Sequence, residues 1–338
     1  MIRTLYIIHV IILVIVVNSC SAQPATGIKL LTTFHIGGSG GWDYLSLPPN
    51  SNKLYVSHGT QVNVVDRSTG DSIAVIPNTT GVHGIAFVPA FKKGYTSNGR
   101  LNTLTVFDLQ TNAVTGEVKV GENPDAIIYD AFTKQVVVCD GRSHEVTIVD
   151  PATDKVVATI AVGGKPEEAV SNGAGMIFVN IEDKNEIVAI DASSYKVTAH
   201  WPLGSGEAPT GLAFDKTTNR LFSGCSDNKT LIVMDAANGK VVASLPIGAD
   251  CDGVAFDAGR NTIFTSNGDG TLTVIKENSK DSFSKVTTVD TKKGARTLAI
   301  DTASHKIYLP VADFEAAAGA NGRRAIIPNT FQVLVFGY

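Results

Sequence analysis

The sequence predicts an all-β fold, a seven-bladed β-propeller with four antiparallel strands in each blade, from three observations. First, 43% of the 338 residues are hydrophobic, and the sequence contains 32 glycines but only 3 methionines. This composition favours short strands and tight turns over helices. Second, a hydrophobic residue followed by aspartate recurs about every 42 residues, which is a period typical of propeller blades. Third, one strand pattern occurs seven times, at 54–57, 94–97, 136–139, 177–180, 221–224, 263–266 and 307–310.

Each repeat begins with an inner strand in which small and large apolar residues alternate, as in 84–87 and 253–256. Because neither face of this strand is polar, we expect it to lie between two neighbouring sheets. The pattern counted above forms the second strand, and a third strand ends at the recurring aspartate. That aspartate and a following Gly or Asn are typical of a hairpin turn, after which a fourth strand such as 156–160 follows. The recurring aspartates are Asp66, Asp108, Asp150, Asp191 and Asp235.

The repeats account for residues 28–338 as a single domain. The last unit supplies three strands, the third of them at 331–336, whereas the segment 28–34 precedes the first unit and belongs to no blade. We expect this N-terminal strand to complete the last blade. Such pairing closes the ring and leaves no exposed sheet edge.

The amino terminus has the features of an export signal. The apolar run after Arg3 is shorter than the roughly 20 residues of a membrane-spanning helix. We expect residues 1–19 to be a signal peptide of the lipoprotein type, followed by a lipidated Cys20 and a linker at 20–27; cleavage after Ala22 is the alternative. The prediction is an exported protein, in the periplasm or, as a lipoprotein, at the outer membrane or cell surface.

Two sets of positions are expected on one face of the ring, which we call the channel mouth. In an antiparallel blade the start of the inner strand and the end of the second strand lie on the same side. The inner-strand starts are Asp43, His83, Asp125, Glu167, Thr210, Asp252 and Arg296, and the second-strand ends are His58, Asn98, Asp140, Ile181, Cys225, Asn267 and Val311. Most are polar, so we expect a ligand site at Trp42, Asp43, His58, His83, Asp125, Glu167, Asp252, Arg296, Arg323 and Arg324. The alternative is that turns between blades are polar in any propeller.

An insertion in the last blade, residues 313–328, is expected on the same face. Loops of this length are usually functional or irregular. Arg323 and Arg324, together with Arg296, supply positive charge suited to an anionic ligand or a nucleic-acid strand; a loop without a binding role is the alternative. Trp42 is expected either to stack on a ligand or to fill the channel.

Four residues of the mouth are candidate metal ligands, namely Asp43, His58, His83 and Asp125. Imidazoles and carboxylates suit Zn²⁺ or another divalent ion, and an open coordination position activates water. The ligands have no fixed metal-binding spacing, so no cofactor is predicted and the divalent ion is kept as an alternative. Ser39 lacks the strand–turn–helix context of a nucleophile elbow, and no catalytic residue is predicted.

Two cysteines are expected on the same face of the ring. Cys225 ends a second strand and Cys251 precedes the next inner strand. Since an exported protein meets oxidising conditions, we expect a disulfide between Cys225 and Cys251 and a buried thiol at Cys139.

The repeats resemble those of a known group of propellers. Tyr-Thr-Ser-Asn at 95–98, Phe-Thr-Ser-Asn at 264–267 and the step Gly-Glu-Asn-Pro-Asp at 121–125 look like the repeat of the YncE-like, or YVTN-repeat, β-propellers. The resemblance covers essentially the whole chain after the signal and implies the fold and export. Single-stranded DNA binding is known in that group, which implies a nucleic-acid alternative. The repeats are also similar to those of the propeller lactonases, which implies a metal-dependent hydrolase as another alternative.

Together these observations predict a non-catalytic binding or interaction module. The expected partner is a protein or a small molecule at the channel mouth, the membrane is reached through lipid on Cys20, and the protein is expected to be a monomer. A net charge of −4 without a long basic run does not by itself imply nucleic acid. The hydrolase and the binding of single-stranded nucleic acid remain the alternatives.

Overall fold

The computed structural model describes residues 27–318 and 324–338 and contains seven four-stranded antiparallel sheets. The first strand of each sheet contacts the first strands of the two neighbouring sheets, and the contacts close into a ring. The seven-bladed β-propeller predicted from the sequence is therefore confirmed. Residues 1–26 and 319–323 lie outside the described residues, so the signal peptide, the lipidation of Cys20 and the role of Arg323 stay predictions.

The strands of blades 1 to 6 run from the channel outward in chain order, and blade 7 does so for its first three strands. The innermost strands are Trp42–Ser46, Val82–Val88, Pro124–Asp130, Pro166–Ser171, Pro209–Asp215, Cys251–Asp257 and Ala299–Asp301. The second strands are Lys53–His58, Lys93–Asn98, Gln135–Asp140, Met176–Ile181, Arg220–Cys225, Thr262–Asn267 and Lys306–Val311. The third strands are Gln61–Asp66, Thr103–Asp108, Glu145–Asp150, Glu186–Asp191, Thr230–Asp235, Thr271–Ser279 and Gln332–Gly337. The outermost strands are Ser72–Ile76, Val114–Lys119, Lys155–Ala161, Lys196–Pro202, Lys240–Pro246, Ser282–Asp290 and Lys29–His35.

The N-terminal strand closes the ring as the sequence predicts. Lys29–His35 pairs antiparallel with Gln332–Gly337, from Lys29 opposite Gly337 to His35 opposite Gln332. The last blade thus combines the two ends of the described chain, and Lys29–His35 covers the outer edge of Gln332–Gly337 as the fourth strand of the sheet.

Three short elements complete the structure. Two 3₁₀ turns, Pro89–Phe91 and Glu182–Lys184, connect second strands with their neighbours, and a hairpin of Phe314–Ala318 and Arg324–Ile326 lies inside the insertion of the last blade. Within the described ranges, the structure contains no helix with the length and apolarity needed to cross a membrane.

The recurring aspartates form the turns that end the third strands. Oδ1 of Asp66 accepts the N–H of Ser68 at 2.8 Å, and Oδ1 of Asp108 accepts the N–H of Gln110 at 2.9 Å. Asn112, at the end of the latter turn, has a φ of 59°, which asparagine tolerates better than most residues. The aspartate repeat in the sequence therefore marks a turn that the side chain itself stabilises.

Neighbouring blades are joined on the side opposite the mouth by side chains of the second strands. In blade 1, Lys53 Nζ donates to the carbonyl of Leu109 at 2.7 Å, and the Tyr55 hydroxyl donates to Asn112 Oδ1 at 2.6 Å, both in the turn of blade 2. The Tyr308 hydroxyl of blade 7 donates to the carbonyl of Arg67 in blade 1 at 3.2 Å. These contacts fix the angle between blades and make the channel a rigid support for the mouth.

Candidate functional site

The channel mouth is built from equivalent positions of the blades. Asp43, His83, Asp125, Glu167, Thr210 and Asp252 are each the second residue of an innermost strand, and Arg296 lies just before the innermost strand of blade 7. The second-strand ends are their neighbours, since Trp42 pairs with His58 and Val82 pairs with Asn98. The expectation that both sets lie on one face is therefore confirmed by the strand register.

Hydrogen bonds between blades hold the starts of the innermost strands. Thr297 Oγ1 donates to the carbonyl of Asp43 at 2.6 Å, and Ser266 Oγ donates to the carbonyl of Arg296 at 2.6 Å. Thr210 Oγ1 donates to the carbonyl of Cys251 at 2.6 Å. Because each bond joins backbone of one blade to a side chain of its neighbour, the polar groups of the mouth are held in fixed positions.

Asp43, His83 and Asp125 form a compact cluster at the mouth. His83 Nδ1 lies 2.6 Å from Asp43 Oδ2 and 3.6 Å from Asp125 Oδ1. Burial would lower the pKa of His83, but the hydrogen bond to Asp43 and the negative charges of Asp125 and Asp43 outweigh it and raise the pKa to about 9. Burial raises the pKa of Asp125 to about 6, against the effect of His83. At neutral pH, His83 is therefore a cation held between two carboxyl groups.

Arg296 extends this cluster to blades 6 and 7. Its guanidinium forms an ion pair with Asp252 and lies 3.6 Å from Asp43 Oδ1. It also donates to the carbonyl of Trp42 at 3.3 Å. Alternating acids and bases thus run across the mouth from Asp252 to Asp125, which satisfies charges that would otherwise be costly to bury.

Glu167 is paired with Lys165. Lys165 forms ion pairs with both Glu167 and Glu182. Burial and the charge of Asp125 raise the pKa of Glu167 to about 8, although Lys165 opposes this effect. Glu167 is 8% exposed, so it supports the wall of the mouth and has little surface to offer a ligand.

A cavity of about 490 Å³ opens at the mouth above this cluster. Its lining comes from blades 1, 2, 3 and 7 and consists of Gly40, Gly41, Trp42, Asp43, Gly59, Thr60, Gly81, Val82, His83, Arg100, Asn123, Arg142 and Arg296. The sequence analysis identified Trp42, Asp43, His83 and Arg296 but missed Arg100 and Arg142. Both of these arginines are exposed, and neither guanidinium forms an ion pair or hydrogen bond with any described residue.

Trp42 lies at the edge of this cavity with its ring largely buried. The ring is 9% exposed and packs on Phe331 and Phe314, at centroid distances of 5.7 and 5.8 Å. Trp42 therefore fills space between the first and last blades, and its indole N–H is a buried donor without a partner among the described residues.

His58 does not belong to the metal-ligand set expected from the sequence. The side chain is 3% exposed, its ring lies 4.2 Å from that of Phe331, and Nδ1 contacts Asn63 Oδ1 at 3.1 Å. The side chain of this second-strand end lies between strands, and Asn98 likewise bonds within its blade, to Thr105. The structure therefore places His58 in the packing between the first and last blades and not in the lining of the cavity.

The remaining three candidates could hold a metal ion. The potential ligand atoms of Asp43, His83 and Asp125 lie within 4.8 Å of one another. Two carboxylates and an imidazole are a suitable donor set for Zn²⁺. Nδ1 of His83 is occupied by the hydrogen bond to Asp43, so a metal ion would have to displace a proton that this pair holds firmly.

The insertion of the last blade begins beside the mouth. Phe314 packs on Trp42, and Asp313 forms an ion pair with Lys292. Arg324 is exposed in the short hairpin strand that follows, where its backbone pairs with Ala318. Arg324 is not among the residues that line the cavity of about 490 Å³, and Arg323 lies outside the described residues.

The predicted disulfide is not formed. Cys139, Cys225 and Cys251 are all free and buried. The Cys225 thiol donates to the carbonyl of Ser223 at 3.9 Å, and the Cys251 thiol donates to the carbonyl of Gly253 at 3.8 Å. Each thiol thus turns toward its own strand, and burial raises the pKa of both.

Comparison with known proteins adds to the fold assignment. No protein-family model matches the chain, and no curated protein sequence matches it. A solved chain of hydrazine synthase from Kuenenia stuttgartiensis is similar, with a TM-score of 0.70 and 16% sequence identity; the match covers 84% of this chain and 94% of that chain. At this level of identity the likeness shows the propeller fold alone.

Proposed function

We propose that this protein is an exported propeller of the YVTN-repeat type that binds a small anionic ligand at the channel mouth and has no catalytic activity of its own. One observation carries the proposal. Arg100 and Arg142 line a cavity of about 490 Å³ and have no partner among the described residues, while Arg296 and the protonated His83 lie at its base. Export and anchoring through Cys20 remain part of the proposal on the sequence alone.

Arginine is the side chain best suited to this role. Its planar guanidinium donates two parallel hydrogen bonds to a carboxylate or a phosphate, and it stays charged at any physiological pH. The arginines at the base and edge of the mouth differ in one respect, since Arg296 is neutralised by Asp252 and Asp43. Arg100 and Arg142 therefore supply the charge that a ligand would neutralise.

The test uses citrate and inorganic pyrophosphate as probes, titrated calorimetrically into the purified protein. We expect binding of at least one probe, with affinity reduced about tenfold or more in the double variant Arg100→Gln/Arg142→Gln, because each charge-assisted bond contributes about 1.5–3 kcal/mol. Arg260→Gln, outside the cavity, is the matched control. Equal affinity in the wild type and the double variant would refute the mouth as the site. Binding of an unstructured oligonucleotide but neither small anion would favour the nucleic-acid alternative.

A metal-dependent hydrolase is the second candidate, because Asp43, His83 and Asp125 lie close enough to share an ion. Elemental analysis of protein purified without a metal-binding tag would separate the two proposals. One divalent ion per chain, lost in His83→Ala but kept in His58→Ala, would support the hydrolase and justify a screen of lactones and esters. If the protein contains no stoichiometric ion and hydrolyses no ester when Zn²⁺ is added, the hydrolase is rejected and the binding module is retained.

A further inference from the structure

A second cavity, of about 370 Å³, lies in the channel away from the mouth. It is formed by the middle and far ends of innermost strands, whereas the mouth cavity is formed at their starts. The two cavities share no lining residue. The lining consists of Tyr44, Leu45, Ser46, Leu47, Gly84, Ile85, Ala86, Phe87, Ala126, Ile127, Ile128, Tyr129, Glu168, Leu298, Ala299 and Ile300.

Most of the lining residues have apolar side chains and three are aromatic, namely Tyr44, Phe87 and Tyr129, whereas about half of the exposed surface of the cavity is polar. Concave apolar sites with few polar groups are the usual form of small-molecule sites. Aromatic rings also attract organic cations through the negative charge on their faces. The cavity therefore suits a ligand that has both an apolar and a polar part, and the rings favour one with positive charge.

Glu168 is the single acidic or basic side chain among the described lining residues of this channel cavity. Its Oε2 accepts the backbone N–H of Leu212 at 2.7 Å, and it forms no ion pair with a described residue. Two acids of the mouth differ, since Glu167 has Lys165, and Asp43 has His83 and Arg296. The ionised form of Glu168 would therefore lack the cationic partner that buried carboxylates normally have.

We infer that this cavity binds a small organic cation, an ammonium group carrying an apolar substituent, with Glu168 as the counter-ion and Tyr44 and Tyr129 among the residues that contact it. A metal ion does not fit the site, because it would need several oxygen ligands and the cavity offers a single carboxylate. A neutral molecule would offer no counter-charge to the ionised form of Glu168. An organic cation would pair with the carboxylate and would pack its apolar substituent against the aromatic side chains.

The protonation of Glu168 supplies an independent signature. Burial raises the pKa of Glu168 to about 8, the N–H of Leu212 opposes this, and the charges of Asp43 and Asp125 add to it. The free site therefore holds a proton at neutral pH, and the cation displaces it. Affinity for a permanently charged cation should rise as the pH increases from 6 to 9, and binding should release a proton to the buffer.

The experiment is calorimetric titration of the full chain with benzyltrimethylammonium chloride, whose charge does not change with pH. We expect binding at pH 8.5 that is at least tenfold weaker at pH 6 and at least tenfold weaker in Glu168→Gln. The amide in this variant can still accept the N–H of Leu212, and an unchanged circular dichroism spectrum shows that the variant is folded. Glu168→Asp, which keeps the charge, should retain part of the affinity.

Two controls separate this site from others. Glu117→Gln, on an exposed outer strand, and the mouth variant Arg100→Gln/Arg142→Gln should bind the cation as the wild type does. The inference fails if the cation does not bind at pH 8.5, if Glu168→Gln binds it equally well, or if neutral benzyl alcohol binds as tightly as the cation. Because the mouth is tested with anions, failure here leaves the proposed function intact.

Discussion

His83 Nδ1 and Asp43 Oδ2 lie 2.6 Å apart and join the innermost strands of blades 1 and 2 at the channel mouth. The two residues are the same structural position in consecutive repeats, so the bond links equivalent points of the ring. Asp125, at the next equivalent position, lies 3.6 Å from the same nitrogen. Equivalent positions of consecutive blades thus carry different residues. Their opposite charges connect the blades and also make the mouth a polar site.

Replacing His83 with asparagine should destabilise the fold in a pH-dependent way. The pKa of His83 is raised from 6.5 to about 9 on folding, so its stabilising effect is complete below pH 6.5 and is lost as the pH rises through about 9. We expect a loss of about 1–3 kcal/mol near pH 6, because the carboxyl groups of Asp43 and Asp125 lose their cation. The loss should shrink toward pH 10, as measured by urea unfolding at each pH.

The matched control is His200→Asn. His200 is exposed on an outer strand and pairs with Glu186 at 2.7 Å, so its loss should change stability by less than about 1 kcal/mol. If the difference between His83→Asn and the wild type is the same at pH 6 and pH 10, the ion pair does not stabilise the mouth.

Gly211 lies at a close approach of two innermost strands. A Cβ atom there would lie 2.5 Å from the backbone N of Val254 and 2.7 Å from the carbonyl carbon of Gly253. Because backbone cannot move aside as a side chain can, Gly211→Ala should lower the free energy of unfolding by about 1–3 kcal/mol. Gly41→Ala, where no atom lies within 4 Å of the added methyl, is the control and should be nearly neutral. Equal stability of the two variants would show that the strands separate at little cost.

The fold could be predicted from the sequence because its signals are local and repeated. An aspartate that bonds its own turn, as Asp66 does with Ser68, leaves the same mark in every blade. Strand register then follows from the turn lengths, which is why the pairing of Trp42 with His58 could be expected. Closure by Lys29–His35 followed from counting strands, with no need of long-range contacts.

The site could be predicted only in part. Strand positions place His58 and Asp43 on one face, but the direction of each side chain decides whether it meets the channel or is buried in the packing, and the sequence does not show this at a strand end. Arg100 and Arg142 lie in turns that the alignment of strand ends left out. Their signal was present, since Asn-Gly-Arg at 98–100 and Asp-Gly-Arg at 140–142 occupy equivalent turns of blades 2 and 3.

The cysteines provide a direct chemical test of the packing. Cys139, Cys225 and Cys251 are free and at most 1% exposed, and burial raises the pKa of each, so none should react with iodoacetamide in the native protein at pH 8. After unfolding without a reductant, all three should be alkylated, as identified by peptide mapping. Alkylation of Cys139 alone would instead indicate a disulfide between the other two residues.

Glu168 should make the protein less stable as the pH rises. Its pKa is raised from 4.5 to about 8 on folding, so between these values the folded protein retains a proton that the unfolded chain has released. Each pH unit in this range costs up to about 1.4 kcal/mol, and water in the cavity reduces that cost. Glu168→Gln removes the titration and can still accept the N–H of Leu212, so we expect a gain of about 1–3 kcal/mol over the wild type between pH 5 and pH 8.5. Urea unfolding without added cations measures this gain, and Glu117→Gln should not reproduce it. A stability difference that stays constant from pH 5 to pH 8.5 would mean that Glu168 is already ionised in the folded protein.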